Sequence, residues 1–273
     1  MEGGVAVLTG AASGIGRALA QQLAREKMSL ALCDIHAERL AESAAAACQI
    51  AGATGRLITT HVVDVGDLTQ IQAFAEAVVA AHGRVTLLIN NAGVAIHGRF
   101  DKFSLEDFDW LMRINFWGVV NGTKVFLPML RRERRAHIVN LSSIFGIIAP
   151  AGQTAYAASK FAVRGFTEAL RHELTGSNIG VSCIHPGGIR TRIAMDGRVG
   201  AGSSESKEHY AAAFEKLAKH SAESAAAKII AGMKRHKPRI LIGYEAYALD
   251  VIQRAFPARY WKLLRGGMKT GAI

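Results

Sequence analysis

The sequence predicts a doubly wound α/β fold: a seven-stranded parallel sheet with helices on both faces, followed by a short helical C-terminal extension. Three observations carry this. Short apolar runs rich in Val, Ile and Leu alternate with segments of helical period, as strands and crossover helices do. Those runs are continuously apolar rather than alternating, which is the pattern of strands covered on both faces. The chain has 273 residues, half of them hydrophobic, an ordinary size for one α/β domain with a sizeable core.

GVAVLT (4–9) is the first strand, with a helix starting near Gly14. LALCD (30–34) is the second, followed by an alanine-rich helix over 37–51. RLITTHVV (56–63) precedes a helix over 68–81, and VTLLIN (85–90) precedes a long helix from Ser104 to about Leu130. HIVNLSS (137–143) leads to the helix carrying TAYAASKFAV (154–163), and VSCIHP (181–186) and RILIG (239–243) complete the sheet. The Gly/Ser-rich stretch 195–209 follows the sixth strand, where such sheets carry ligand-facing loops, and is expected to be a mobile cover over a substrate. With no internal repeat and no strand-only half, residues 1–273 form one domain, and 244–273 form a basic amphipathic extension that Pro257 should split into two short helices.

Composition narrows the function. Cys33, Cys48 and Cys183 are odd in number and never form a CxxC pair, which argues against a disulfide framework or a zinc site and for a reducing compartment. The N-terminus reads as strand and turn, not as a basic segment followed by an apolar one, so a cytoplasmic location is expected. Apolar runs fall short of the roughly 20 residues that a membrane-spanning helix needs. The net charge is +11, and residues 228–273 hold ten Lys or Arg against Glu245 and Asp250, leaving +8 there. The ten histidines include no HExxH and no ligand cluster, so no metal is expected. RRERR (131–135) lacks the interleaved aromatics that stack bases and reads as a solvated turn, so no nucleic-acid partner is expected.

Two features carry chemistry. TGAASGIG (9–16) falls where the first strand turns into the first helix; Gly10, Gly14 and Gly16 permit a tight turn and close approach of backbone to a pyrophosphate, beside the positive end of a helix dipole. About 20 residues on, Asp34 ends the second strand, where a carboxylate can accept from adenosine ribose hydroxyls and repel a 2′-phosphate. The ligand is therefore read as NAD, with NADP as the alternative because Arg17 and Arg39 lie near in sequence; a plain strand-end cap is the other reading of Asp34. Tyr156 and Lys160, four apart on a helix, are surface neighbours, and an adjacent ammonium should lower the phenol's pKa toward the range of a general acid/base. By itself the pair reads more simply as a cation packed beside an aromatic ring on a solvated helix face, and the rest of the chain has to decide.

Taken together, these residues resemble the short-chain dehydrogenase/reductase family over about the first 195 residues. The family's glycine motif is matched by Thr9, Gly10, Ser13, Gly14, Ile15 and Gly16, and its NNAG motif by Asn90, Asn91, Ala92 and Gly93. Asp64 and Val65 look like its adenine contact. Asn115 matches the family's catalytic asparagine, Ser143 its active-site serine, and Tyr156 and Lys160 its YxxxK. Pro186, Gly187, Ile189 and Thr191 fall where the family surrounds the nicotinamide ribose and carboxamide. No departure occurs in this set.

The resemblance implies a Rossmann-type, NAD(P)-dependent oxidoreductase interconverting a secondary alcohol and its ketone. Tyr156 would be the general acid/base, Ser143 the partner of the same substrate oxygen, Lys160 the group that tunes Tyr156 and holds the ribose, and Asn115 the anchor of a proton-relaying water. The apolar residues Val94, Ile96, Phe145, Ile147 and Ile148 are expected to flank a hydrophobic substrate. A dehydratase or epimerase, or a non-catalytic binding protein on the same fold, are the alternatives. A homodimer or homotetramer is expected. The extension should pack on a subunit or wall the substrate pocket in preference to lying on a membrane, because Pro257 breaks its amphipathic face.

Overall fold

The structure, a computed structural model, describes residues 2–52, 55–200 and 206–267. Its seven-stranded sheet comprises β1 (Val5–Thr9), β2 (Ser29–Asp34), β3 (Ile58–Val62), β4 (Leu87–Asn90), β6 (Ala136–Leu141), β7 (Ile179–Pro186) and β9 (Arg239–Ile242). The spatial order is β3-β2-β1-β4-β6-β7-β9 and every pairing is parallel. The order reverses between β1 and β4, and ligands of open α/β sheets bind at the carboxyl ends of strands at such a switch point.

The strands' alternation places successive side chains on opposite faces. Ala6, Leu8, Leu30, Leu32 and Ile89 pack under α1 (Gly14–Arg25), α2 (Ala37–Ala51) and α9 (Ala222–Lys234). Val7, Ala31, Leu88 and Ile138 pack under α3 (Leu68–His82), α5 (Gly118–Arg131) and α6 (Thr154–Glu173), where Phe126 meets Phe74 edge-on at 5.7 Å. Each fully buried Leu, Ile or Phe contributes about 1.5–3 kcal/mol by leaving water. That both faces are so covered explains why the inner strands β1, β2, β4, β6 and β7 read as largely apolar runs, whereas β3 at the edge, ITTHV, is half-exposed and mixed.

Three features depart from the sequence reading. The long helix after β4 is α4 (Leu105–Met112) and α5 joined by one π turn, Arg113–Trp117. A single wide turn of this kind re-aims a side chain without ending the helix, and the residue it re-aims is Asn115. A small parallel pair, β5 (Ile96–His97) with β8 (Arg198–Val199), is added beside the sheet. The stretch after β7 is more structured than expected: α7 (Ile193–Asp196) and β8 lie in it and α8 (Lys207–Leu217) starts inside it. The centre of that stretch (201–205), Lys269 and the side chain of Arg265 lie outside the described residues.

The extension forms two helices, α10 (Tyr244–Ala255) and α11 (Tyr260–Gly267), on either side of Pro257. Buried Asp250 receives a paired bond from Arg239 of β9 (2.6 and 3.1 Å), which pins α10 to the sheet edge. Leu249, Tyr260 and Leu264 pack on Ile144, Ile147 and Ile148, and the Tyr260 hydroxyl accepts from the Ala149 N–H at 3.0 Å. The extension thus packs on its own chain. No described helix is long and apolar enough to cross a membrane.

Candidate active site

A cavity of about 760 Å³ opens at the carboxyl ends of the strands. At its floor, the Thr9 hydroxyl accepts from the N–H groups of Asn91 (3.0 Å) and Ala92 (3.1 Å), and the Asn91 amide donates to the carbonyls of Thr9 (3.0 Å) and Gly10 (2.9 Å). These bonds join the ends of β1 and β4. Gly10 and Gly14 have φ of +66° and +51°, and a Cβ on Gly16 would fall 1.9 Å from the Gly10 carbonyl oxygen. A side chain at any of the three would open the turn. Asn90 points the other way, donating to Asn140 (2.8 Å) and Thr123 (3.1 Å), and so fixes β4 against β6 and α5.

The adjoining helix end suits an anion. Ser104, Ser206 and Ser221 cap their helices with side-chain bonds, whereas Ser13, the N-cap of α1, makes no such bond, and no acidic residue occupies the first turn. The N–H groups there remain directed at the cavity, lined by Gly10, Ser13, Gly14 and Ile15. Across the turn, Thr191 closes on Gly14: a Cβ there would lie 2.9 Å from the Thr191 methyl. Asp34 is held by the N–H groups of Ala12 (3.0 Å) and His36 (3.1 Å) and lines the same cavity, so it both shapes the turn and presents negative charge. The nearby cations are occupied, Arg39 with Asp196 at 2.9 Å and Arg17 with Glu42 at 3.4 Å. Asp64 accepts from the Gly66 N–H at 2.8 Å and lies with Val65 on the wall beyond. Gly93, Pro186, Gly187 and Ile189 line the opposite side. These residues fit a nicotinamide dinucleotide, with its pyrophosphate at the helix end.

The reactive groups lie on the far wall. Ser143 accepts from the Phe145 N–H at 3.1 Å, leaving its own proton to donate, and it hydrogen-bonds the Tyr156 phenol. Lys160 is buried, its Nζ 5.6 Å from the Tyr156 ring centre and 3.1 Å from the Leu141 carbonyl, to which it donates. Ser142 donates to the Lys160 carbonyl at 2.8 Å, so the end of β6 grips α6 twice. A Cβ on Gly146 would fall 2.2 Å from that serine oxygen, which is why glycine follows the SSIF run.

One expectation is corrected here. Burial pushes the Tyr156 phenol up to about 12, outweighing the bond from Ser143, and pushes Lys160 down to about 8. The ammonium is bonded to a main-chain carbonyl and does not bring Tyr156 below its ordinary value; desolvation wins at this spacing. Asn115 sits behind the cavity wall, where its Oδ1 and the Lys160 Nζ lie 3.2 and 3.3 Å from the point a Cβ on Gly93 would occupy. Its amide donates to the Val94 carbonyl (2.9 Å) and to Ser159 (3.1 Å), while its oxygen accepts from the Val94 N–H (2.8 Å). Both amide protons are spent on holding the chain after β4 against α6. Ile96 and Ile147 are likewise core residues, whereas Val94, Phe145 and Ile148 do line the cavity.

Several participants escaped the sequence reading. His185 Nδ1 lies 3.0 Å from the Ser143 carbonyl, and because a carbonyl only accepts, that nitrogen carries the proton; burial keeps the ring neutral, with its pKa pushed down to about 4. His185 therefore fixes the backbone of Ser143. The one signal was its place immediately before Pro186-Gly187. Glu245 of α10 accepts from the Gly188 N–H (3.0 Å) and pairs with His220 (2.9 Å), tying the extension to the loop after β7. Tyr210 of α8 stacks on His97 (4.1 Å) and accepts from Gln153 (3.2 Å) above Tyr156. Leu249 and Trp261 of the extension also wall the cavity. Among the described residues no group of His, Cys, Asp and Glu is arranged to hold a metal.

Residues 4–201 match the short chain dehydrogenase family. SadH of Mycobacterium tuberculosis, named as an oxidoreductase, is 44% identical over 270 residues, covering 98% of this chain and 96% of that protein. The 3-oxoacyl-(acyl-carrier-protein) reductase FabG of Thermotoga maritima is 39% identical over 191 residues, 70% of this chain and 76% of FabG. Among solved structures, a short chain dehydrogenase/reductase from Burkholderia phymatum in complex with NAD superposes with a TM-score of 0.83 at 32% identity, covering 100% of this chain and 99% of that one. Levodione reductase superposes with a TM-score of 0.80 at 29% identity, covering 91% of this chain and 99% of that one.

Proposed function

The chain belongs to the short-chain dehydrogenase/reductase family, and from that premise we propose that it interconverts a hydrophobic secondary alcohol and its ketone with NAD. The observation that carries the reading is the placement of Ser143, Tyr156 and Lys160 together on one wall of a mostly apolar cavity whose other wall is the glycine turn and Asp34.

A bound nicotinamide supplies the hydride donor or acceptor. The chain's own residues position the substrate and move its proton. Tyr156, held as a phenol by burial, donates its proton to the carbonyl oxygen in reduction and takes it back in oxidation. Ser143, whose oxygen is anchored by the Phe145 N–H, donates to the same oxygen and stabilises the charge that develops there. Lys160, its Nζ 5.6 Å from the Tyr156 ring centre, is the cation beside the phenolate as it forms and would hold the ribose of the cofactor. Asn115 acts as a positioning residue, keeping Val94 and Ser159 in place, and Ser159 in turn donates to the Tyr156 carbonyl at 2.8 Å. Val94, Phe145, Ile148, Leu249 and Trp261 favour an apolar substrate body.

A panel of secondary alcohols and ketones, followed by nicotinamide absorbance with NAD and with NADP, tests the reading. NAD is expected to be the better cofactor, because the Asp34 carboxylate repels a 2′-phosphate while Arg17 and Arg39 are already paired. Asp34→Ser should narrow the NAD preference by roughly a hundredfold, the equivalent of a few kcal/mol of like-charge repulsion. A higher kcat/KM with NADP in the unmodified protein would sink the assignment of Asp34.

A further inference from the structure

Among the described residues, the outward face of the extension is largely uncovered, its one side-chain contact being that of Tyr244 with Lys219 and His220 at the end nearest the cavity. Tyr244, Tyr247 and Val251, spaced along one side of α10, are 63%, 55% and 65% exposed, and Leu263 of α11 is 53% exposed. A solvated helix face ordinarily carries charge. Here that stripe is flanked by exposed Arg254, Arg259 and Lys262, none of which pairs with a carboxylate among the described residues. The two acids of residues 244–264 are turned inward and engaged, Glu245 with His220 and Gly188, and Asp250 with Arg239. Among the described residues of α10 and α11, the surface is therefore apolar and cationic, with both acids engaged inward.

The same stripe borders the cavity mouth. Tyr244, Trp261 of α11 and Leu217 of α8 line the cavity, and Leu217 is itself 55% exposed. Lys219 adds a cation at this rim, donating to the Tyr244 hydroxyl at 2.9 Å.

We propose that α10 and α11 dock this protein on an anionic lipid bilayer, with the cavity mouth facing the lipid, so that an apolar substrate enters from the membrane rather than from water. Charge selects this occupant over a second copy of the chain. A two-fold contact through this face would bring the same three cations against one another, whereas an anionic surface neutralises them while the stripe buries its rings. Pro257 is no obstacle, because the fold holds the two helices in place instead of relying on one continuous amphipathic helix. The docking stands on the surface alone; the entry of substrate rests on the hydride-transfer reading.

The test is flotation of the full chain with phosphatidylcholine vesicles, and with phosphatidylcholine–phosphatidylglycerol vesicles at about 2:1, at physiological ionic strength. The unmodified protein should float with the anionic vesicles and stay behind with the neutral ones. Arg254→Gln combined with Lys262→Gln should lower partition by roughly 25-fold, about fivefold per cation. Tyr247→Glu combined with Val251→Glu should lower it by about tenfold or more. Both variants should keep the NAD affinity and thermal midpoint of the parent, since all four side chains point away from the cavity lining. No partition by the parent, or equal partition on neutral vesicles, overturns the proposal; if the glutamate variant then also loses solution mass, a second copy covers the face. Failure to turn over any soluble ketone would remove the hydride-transfer reading and leave the vesicle result standing.

Discussion

Tyr156→Phe is expected to lower kcat by at least about 10²–10⁴-fold, the range for loss of a positioned general acid, while NAD binds nearly as before. The substitution removes one oxygen and leaves the ring, which meets Phe145 edge-on at 6.1 Å and packs in the cluster of Ile96, Leu111 and Ala155. Lys160 keeps its bond to the Leu141 carbonyl, so the cofactor side of the wall is undisturbed. Cofactor fluorescence and single-turnover rates separate the two effects. Retention of more than a few per cent of the parent rate would mean that the proton travels by another group.

Ser143→Ala should cost on the order of 10²–10³-fold in kcat, as loss of one oxyanion donor does elsewhere. The alanine keeps the main chain in place because His185 still donates to the residue 143 carbonyl. It does leave the Phe145 N–H without its acceptor, so part of any loss could be structural. Ser143→Thr separates the contributions: it restores both the acceptor and the donor and should recover most of the rate. Equal loss in the two variants, with the thermal midpoint of the parent, would show that the hydroxyl is not the operative group.

Much of this protein was legible in its sequence, and for local reasons. A strand buried on both faces must be largely apolar, so the inner strands announced the sheet, and helices of 12 to 20 residues such as α1 and α6 declared themselves by period and by the glycines and prolines around them. Gly10, Gly14 and Gly16 were legible because only glycine tolerates their φ or their close approach, and Tyr156 with Lys160 because four residues on one helix is itself a spatial statement.

What the sequence could not decide were quantities set by elements far apart in the chain. Adjacent charge alone argues for a lowered Tyr156 pKa, but the burial that reverses the sign comes from elements distant in the chain, Ile96, Phe108 and Leu111 packing in its cluster and Phe145 meeting its ring. Asn115 reads as a polar residue on a helix, and only the π turn that aims it at Val94 shows both amide protons committed. His185 and Glu245 carry no pattern of their own; they became part of the site when β7 and α10 were brought against Ser143 and Gly188. The same holds for the extension, whose alternating apolar and basic residues left open which side faces the chain. The Asp250–Arg239 pair and the packing of Tyr260 on residues 144–149 settled that, because an ion pair and a hydrogen bond fix the rotation of a helix where amphipathic period alone does not.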